Sequence, residues 1–225
     1  PSQLQRLHPG SGVVVRDSAA LSGLGSFHIQ AMIYPTLPNR GEQALIAKWS
    51  EDHGGFMMMI DENGALALRL GDGRDVATVS TGTSLDTRAW YRVDAWFDAT
   101  TGTTAVQQSR LTEVPLTPSV ARREESVAVT PRIDNSAPLS MGACFADADH
   151  PVARLAYDGK IDAPRLLRRP LSESESLALA AASTPQLSAT NLASPIASFV
   201  ADIVGAWDFA DGIETTQVRD GSQNR

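Results

Sequence analysis

The carboxylate side chains that could perform acid–base chemistry do not have catalytic spacing. Retaining glycosidases hold two carboxylates about 5 to 5.5 Å apart on either side of the sugar bond. The strand pattern Glu-x-Asp-x-x-Glu, which would place them in this way, does not occur in the sequence. Glu173 and Glu175 lie two residues apart, but they follow Ser172 at the start of a predicted helix, where the helix dipole stabilises carboxylates. We therefore predict a structural role for both glutamates.

The four histidines predict neither a catalytic site nor a metal site. His8, His28, His53 and His150 are scattered, and none belongs to a His-Glu-x-x-His string, the spacing that brings two imidazoles together around zinc. His53 precedes two glycines in a predicted solvent-exposed hairpin loop. No serine occupies a Gly-x-Ser-x-Gly elbow, so we predict no Ser-His-Asp triad.

The strand predicted from Trp90 to Asp98 carries the most informative pattern outside catalysis. Because side chains alternate across a strand, one face is apolar. The other face carries tryptophans alternating with charges: Trp90, Arg92, Asp94 and Trp96. Tryptophan and arginine are enriched in interfaces, and large exposed apolar patches are uncommon on monomers. We predict that this face, together with Trp207, is a binding or interface surface.

Two other interpretations of this face remain open. A crossing loop from residues 111–135, or the C-terminal segment, could cover the rings within the chain, or a sugar could stack on Trp96. Met57 and Met59 of the neighbouring hairpin add adaptable apolar surface, although such methionines more often pack in a core.

Composition excludes several classes of partner. The 225-residue chain has a formal net charge of -7 and a pI near 5.0. It would therefore repel a phosphate backbone, and we predict no nucleic-acid partner. No apolar run approaches the roughly 20 residues of a membrane span, so we predict no membrane association.

The single cysteine bears on location and reactivity. Cys144 cannot form an internal disulfide, and it lies in an apolar, strand-like run, which predicts a buried thiol and not a nucleophile. The chain also lacks an Asn-x-Ser/Thr glycosylation signal. Both features favour a cytoplasmic location, with secretion as the alternative.

Short alternating segments separated by turn residues predict an all-β fold, a two-sheet antiparallel jelly-roll sandwich. In the hairpin Phe56–Leu70, the pair Asn63-Gly64 predicts a type I′ turn with positive φ at both residues. Between Leu111 and Asn135 we expect an irregular crossover with one strand, at Val127–Val129. The other predicted strands are Phe27–Tyr34, Ala44–Trp49, Asp75–Ser80, Trp90–Asp98, Leu139–Phe145, Val152–Arg165 and Ile203–Phe209.

One short helix is predicted near the C-terminus. Ser172 and Glu175 have the spacing of a capping box, and the helix should end before Pro185. From Ser183 the composition shifts to Ser, Thr, Ala and Pro, which is typical of a linker. We predict a jelly roll over 1–182, a linker or surface strap over 183–200, and an additional strand over 201–225 that begins the next region of a longer protein.

The order of these elements resembles that of laminin-G-like (concanavalin-A-like) domains over roughly residues 12 to 182. At Val106–Arg110 the chain departs from the Tyr-x-Asp-Gly turn frequent in that family. The resemblance rests on the strand Phe27–Pro35, Ile46–Trp49, the hairpin Gly54–Leu70, the strand Trp90–Asp98 and the closing pattern Tyr157-x-Gly159-x-Ile161-Asp162-x-x-Arg165, then Leu171-Ser172-x-x-Glu175.

The tail carries a narrower resemblance. Ala206–Phe209, with Ile213, Thr215, Val218 and Asp220–Ser222, is similar to the segment that follows the laminin-G-like domain in large subunits of N,N-dimethylformamidase-type amide hydrolases. This implies a large, oligomeric bacterial enzyme that hydrolyses small N-substituted formamides at a mononuclear iron centre. The metal-binding residues of such enzymes lie further along the subunit, so no iron ligand is assigned and no cofactor is expected in this segment.

The resemblance implies a non-catalytic β-sandwich domain that acts as a scaffold, packs against a neighbouring domain or mediates a subunit contact. Its expected partners are other domains or subunits of a larger protein. The alternative is a carbohydrate- or protein-binding laminin-G-like module. Related domains can hold calcium with loop carboxylates and carbonyls, and the candidates here are Asp72, Asp75, Asp147 and Asp149.

Overall fold

The computed structural model describes residues 11–115, 118–149, 152–182, 196–209 and 215–222. These residues form twelve strands, two α-helices and two short 3-10 turns. The strands are β1 (Val13–Val15), β2 (Phe27–Pro35), β3 (Gln43–Ser50), β4 (Gly54–Ile60), β5 (Ala65–Gly71), β6 (Val76–Ser84), β7 (Tyr91–Asp98), β8 (Thr103–Arg110), β9 (Val120–Ser126), β10 (Leu139–Met141), β11 (Gly159–Leu167) and β12 (Ile203–Ala206). The helices are α1 (Ala19–Ser22) and α2 (Glu173–Ala181), and the 3-10 turns are Ile196–Ser198 and Val200–Asp202.

The strands form two six-stranded sheets. The first sheet has the order β1-β10-β3-β4-β5-β6, and the second has the order β12-β11-β2-β7-β8-β9. Neighbouring strands in both sheets run antiparallel. This topology confirms the predicted two-sheet jelly-roll sandwich with one short C-terminal helix. The described residues add the single turn α1 and the two 3-10 turns.

The core lies between the two sheets because each strand turns one set of alternating side chains inward. On β2 the inward set includes Phe27 and Ile29, and on β4 it includes Phe56. The rings of Phe27 and Phe56 meet across the sandwich with centroids 4.5 Å apart. Burial of a large apolar side chain contributes roughly 1.5 to 3 kcal/mol, so this alternation is the main determinant of the fold.

The β4–β5 hairpin is present, but its turn differs from the prediction. The turn closes with a hydrogen bond from Gly64 N to Asp61 O (3.0 Å), and Asp61 Oδ1 accepts from Asn63 N. Among the described non-glycine residues, Asn63 is not one of those with positive φ, whereas Gly64 has φ +81°. The type I′ assignment was therefore wrong, because the Asp61 carboxylate organises a four-residue turn that needs positive φ only at Gly64.

The crossover after β8 contains one strand, but it lies earlier than predicted. β9 covers Val120–Ser126 and pairs with β8 as the edge of the second sheet. Val127 and Val129 instead lie beyond the strand and pack, half-buried, against the core. This strand was not predicted, because Arg122–Glu125 are all charged and resemble a loop in the sequence. Charged residues are common on edge strands, where they discourage aggregation.

Helix α2 begins with the predicted capping box. Ser172 Oγ accepts from Glu175 N, and Ser172 N donates to Glu175 Oε2 (2.9 Å). The helix packs on the outer face of the second sheet through an apolar cluster. Its buried members are Leu167, Leu171, Leu179, Ala182, Phe199, Ile203 and Ala206.

The predicted strand near residue 203 returns to the sandwich. β12 pairs with β11 in the second sheet, and Trp207 is only 4% exposed and packs against the main core. Gly221 N donates to Ala206 O (2.7 Å), which ties the last described residues to this strand. The division of the chain at residues 182 and 200 remains a prediction.

Candidate functional site

Strand register arranges the outer face of the second sheet in rows that cross β11, β2, β7, β8 and β9. The inward faces of these strands supply the core, so the alternate residues point outward. The row through Trp96 contains Leu167, His28, Trp96, Ala105 and Glu124, and the row through Asp94 contains Arg165, Gln30, Asp94, Gln107 and Arg122. The next row contains Asp162, Met32, Arg92, Ser109 and Val120, and the last, here called the Trp90 row, contains Lys160, Tyr34, Trp90 and Leu111.

Asp94 is the centre of a buried polar network beneath α2. Its Oδ1 accepts from Gln30 Nε2 (2.8 Å), Ser176 Oγ (2.8 Å) and His28 Nε2 (3.0 Å). Its Oδ2 accepts from Arg92 Nε (2.9 Å). We call these five residues the Asp94 network. Three of the four donors lie on β2 and β7, and the fourth, Ser176, fastens α2 to the sheet through its hydrogen bond to Asp94.

Burial alone would raise the pKa of Asp94. The hydrogen bonds from His28 and Gln30 and the charge of Arg92 outweigh that effect, so the pKa of Asp94 lies below its usual value. The carboxylate is therefore ionised at neutral pH, and its charge is neutralised by Arg92.

His28, Asp94 and Ser176 are the residue types of a hydrolytic triad, but their connections are different. In a triad the serine hydroxyl gives its proton to histidine, whereas here Ser176 Oγ donates to Asp94. His28 Nδ1 accepts from Leu171 N (3.2 Å), which leaves Nε2 as the protonated nitrogen that donates to Asp94. Neither imidazole nitrogen is free to act as a base, so the arrangement is structural.

Trp96 is held between two neighbours. The His28 ring, from the β2 side, stacks on the indole at 5.6 Å and 3°. The Arg122 guanidinium, from the β9 side, lies over the indole at 4.9 Å, which is within cation–π range. A sugar could reach this indole face only if Arg122 moved away.

A small cavity lies beside Trp96, at the edge of α2. Its volume is about 120 Å³, well below the roughly 300 to 1,000 Å³ of typical small-molecule sites. The lining residues are His28, Asp94, Trp96, Gln107, Arg122, Leu171, Ser172, Glu173 and Ser176. The cavity thus has room for water or a very small polar ligand.

The Trp90 row lies at the opposite end of the same face. Tyr34 and Trp90 are half-buried and pack against each other at 5.4 Å and 50°. Lys160 Nζ lies 5.6 Å above the Tyr34 ring. Leu111 is 55% exposed at the end of the row, and Val120 in the adjacent row is 50% exposed. The row is an amphipathic aromatic surface with one cation at its edge.

The structure separates the five residues predicted as an interface. Arg92 and Asp94 are buried in the Asp94 network, and Arg92 also reaches Glu173 Oε1 of α2 (3.0 Å). Trp207 is buried in the core. Trp96 and Trp90 are half-buried, and only Trp90 lies in the row whose apolar neighbours remain exposed.

In the candidate calcium loops, Asp72 and Asp147 accept hydrogen bonds from the backbone of their own loops, and Asp149 pairs with a distant arginine. Asp72 Oδ1 accepts from the backbone N–H groups of Arg74 and Asp75 (both 2.8 Å). Asp147 Oδ1 accepts from Asp149 N, and Asp149 pairs with Arg16. In the described ranges, no three His, Cys, Asp or Glu side chains come together as a metal group. Calcium binding at these loops stays a prediction.

Cys144 is buried, as its apolar surroundings predicted. Burial raises the pKa of the Cys144 thiol to about 11, with a further contribution from the charge of Glu51. A thiol with this pKa is a poor nucleophile at neutral pH.

No helix within the described residues has the length and apolar character to span a membrane.

Two solved structures show the class of fold to which this sandwich belongs. A proposed carbohydrate-binding protein from Bacteroides ovatus aligns with a TM-score of 0.60 at 15% identity, over 94% of this chain and 54% of that protein. The carbohydrate-binding module of the Ruminococcus gnavus sialidase, solved with α2,3-sialyllactose, aligns with a TM-score of 0.57 at 15% identity, over 77% of this chain and 93% of that module. The predicted jelly-roll fold is confirmed.

Sequence comparison gives the particular relationship. The chain is 30% identical over its entire length to the N,N-dimethylformamidase beta subunit of Paracoccus aminophilus. It is 24% identical, again over its entire length, to the N,N-dimethylformamidase beta subunit of an Alcaligenes species. It spans 30% of the length of each relative. No protein-family model matches the chain. The resemblance found in the sequence is thereby confirmed.

Proposed function

We propose that this chain is a non-catalytic jelly-roll domain of an N,N-dimethylformamidase-type amide hydrolase, and that it works by packing against another domain or subunit of that enzyme. The observation that carries the proposal is the 30% identity, which runs through the whole chain yet covers only 30% of the relative. The rest of such an enzyme would then hold the chemistry.

The Asp94 network supports the non-catalytic part of the proposal. The buried carboxylate accepts four hydrogen bonds, and both nitrogens of His28 are engaged. An acid–base residue needs a proton or a lone pair that it can exchange with substrate, and the network leaves none at these groups. In this proposal the iron centre that the resemblance implies belongs to another part of the enzyme; among the described residues of this chain, no three His, Cys, Asp or Glu side chains come together as a metal group.

The Trp90 row is the proposed contact surface. Half-buried tyrosine and tryptophan beside exposed leucine and valine form the kind of patch that becomes the centre of an interface. We assign its occupant to another segment of the same amide hydrolase, because the relatives extend far beyond the part that this chain matches. That segment would present apolar side chains to Trp90 and Leu111, and an acidic group to Lys160.

The test uses the full-length enzyme that contains this chain. Trp90→Ala should weaken assembly or domain packing about tenfold or more, the range of an interface anchor, as measured by sedimentation and thermal unfolding. Turnover per assembled enzyme should not change. Val76→Ala is the matched control, since Val76 is 58% exposed and begins β6 in the first sheet. Equal behaviour of the two variants would contradict the contact surface, and lost turnover in assembled enzyme would contradict the non-catalytic role.

A carbohydrate-binding module is the second candidate function. The observation that favours it is Trp96, whose half-buried indole lines a cavity together with Gln107 and Glu173. Glycan-array binding that disappears in Trp96→Ala would support it. Because Arg122 covers the indole, sugar stacking also requires that Arg122→Ala bind at least as well as the unmodified chain. Absence of binding with and without calcium would count against this candidate.

A further inference from the structure

Lys48 is a fully buried lysine whose ammonium is surrounded by oxygen atoms. The side chain is 0% exposed. Its Nζ donates to Asn135 O at 2.7 Å, Ala137 O at 2.8 Å and Asp17 Oδ1 at 2.9 Å. Asn135 Oδ1 lies slightly further away, at 3.4 Å. The cage therefore consists of one carboxylate, two backbone carbonyls and one amide oxygen.

The two side-chain groups of the cage, the Asp17 carboxylate and the Asn135 amide, are held in place independently of the lysine. Ser22 Oγ donates to both oxygens of the Asp17 carboxylate, at 2.8 and 2.7 Å. The Asn135 side chain donates to Arg132 O (2.7 Å) and Gly54 O (3.1 Å) and accepts from Ala137 N (3.0 Å). The cage is preorganised, so it should survive truncation of the lysine.

The cage joins three parts of the chain that are distant in sequence. Asp17 precedes α1, Lys48 lies on β3 opposite Phe56 of β4, and the loop of Asn135 and Ala137 leads into β10. Strand β1 pairs only with β10 among the described strands. A central cation at this junction therefore fixes the N-terminal segment to the sandwich.

Carboxylate, amide and backbone carbonyl oxygens, completed by water, are the ligands that calcium accepts in proteins. We propose that the Lys48 ammonium is a built-in substitute for a structural metal ion, and that Lys48→Ala converts the Asp17–Asn135–Ala137 cage into a calcium site. This inference is independent of the function proposed above. Asp17 retains 27% exposure of its side chain, so water can complete the coordination of an ion.

The test measures thermal unfolding of the 225-residue chain with calcium or with magnesium. Lys48→Ala should unfold at a lower temperature than the unmodified chain and regain stability as calcium is added. Sites with few carboxylates have dissociation constants on the order of 10⁻³ M. At about 10 mM calcium, the folding equilibrium constant of Lys48→Ala should therefore rise about tenfold. Magnesium should have less effect, because it requires stricter geometry and retains its water.

Two variants make the result specific. Lys48→Met removes the charge but fills the space with a side chain of similar length, so calcium should not stabilise it. The double variant Lys48→Ala/Asp17→Asn removes the carboxylate and should lose the calcium response. If Lys48→Ala is unfolded without metal, recovery of its circular-dichroism spectrum with calcium supports the proposal. The proposal is overturned if calcium neither stabilises nor refolds Lys48→Ala, or if it acts equally on Lys48→Met.

Discussion

Ser176 Oγ donates to Asp94 Oδ1 across 2.8 Å, although the two residues are 82 positions apart in the chain. This hydrogen bond joins the middle of α2 to the middle of β7. It places a helix at one end of the outer face of the second sheet, where the Asp94 network binds it, and it leaves the Trp90 row at the other end. The division of the face into a covered part and an exposed part follows from where this carboxylate lies.

Asp94→Asn should destabilise the chain by about 3 kcal/mol. The substitution removes the buried charge and replaces an acceptor oxygen by an amide donor, so buried Arg92 loses one of its two carboxylate partners. Urea unfolding at neutral pH measures the change. The matched control is Asp134→Asn, whose side chain is 69% exposed beside Arg132 and should lie within about 0.5 kcal/mol of the unmodified chain. An Asp94→Asn variant as stable as this control would show that the network does not hold α2.

Glu175→Gln should make the free energy of unfolding less dependent on pH under acidic conditions. The hydrogen bond from Arg169 is the largest effect on this carboxylate, and the pKa of Glu175 falls from 4.5 to about 2. A folded-state pKa below the unfolded value stabilises the protein above about pH 4.5. This contribution is lost as the pH falls toward about 2.

Unfolding free energies measured between pH 6 and about 2 should therefore fall less steeply for Glu175→Gln than for the unmodified chain. At pH 6 the variant should already be less stable, because Arg169 has lost one of its two carboxylate partners. Glu62→Gln in the β4–β5 turn serves as the surface control. If the unfolding free energies of Glu175→Gln and the unmodified chain fall equally steeply with decreasing pH, the pKa of Glu175 is not lowered in the folded state.

Arg122→Ala should expose Trp96. Removal of the guanidinium costs little stability, about 0.5 to 1 kcal/mol for a surface cation–π contact, but it uncovers one face of the indole. Acrylamide quenching of tryptophan fluorescence should increase, and the increase should vanish in a Trp96→Phe background. Arg123→Ala is the control, because Arg123 pairs with Glu125 and lies on the opposite face of β9. Unchanged quenching in Arg122→Ala would mean that the ring is protected by other groups.

Much of the fold could be predicted from the sequence because it depends on local patterns. Alternation placed Phe27 and Phe97 in the core, and the Ser172–Glu175 spacing gave the start of α2. Edge strand β9 was misplaced, because the four consecutive charged residues Arg122–Glu125 leave the strand without an apolar face that alternation could reveal. The turn at Asn63 was assigned wrongly because an aspartate two residues before it reorganised the backbone.

The site was predictable only in part, because its central contacts are between residues far apart in sequence. The charged face of β7 was visible as Arg92 and Asp94, but nothing nearby in the sequence indicated that Ser176 would complete their network. His28 has no partner residue near it in the sequence. It stacks on Trp96 because the register of β2 and β7 places the two residues opposite each other. The one signal available was Ser176 itself, a polar residue at helical spacing from the apolar Leu179 with which it shares the buried side of α2.

Gly205→Ala should test whether β12 is part of the sandwich in solution. A Cβ at position 205 would lie 2.2 Å from the Trp207 ring, and Trp207 is buried against the core, so the ring must move or the strand must shift. Overpacking of this kind costs about 1 to 3 kcal/mol. Gly25→Ala is the matched control, since a Cβ there meets nothing within 4 Å. Thermal unfolding should show a clear loss for Gly205→Ala and little change for Gly25→Ala; equal melting temperatures would indicate that Trp207 and β12 do not pack as described.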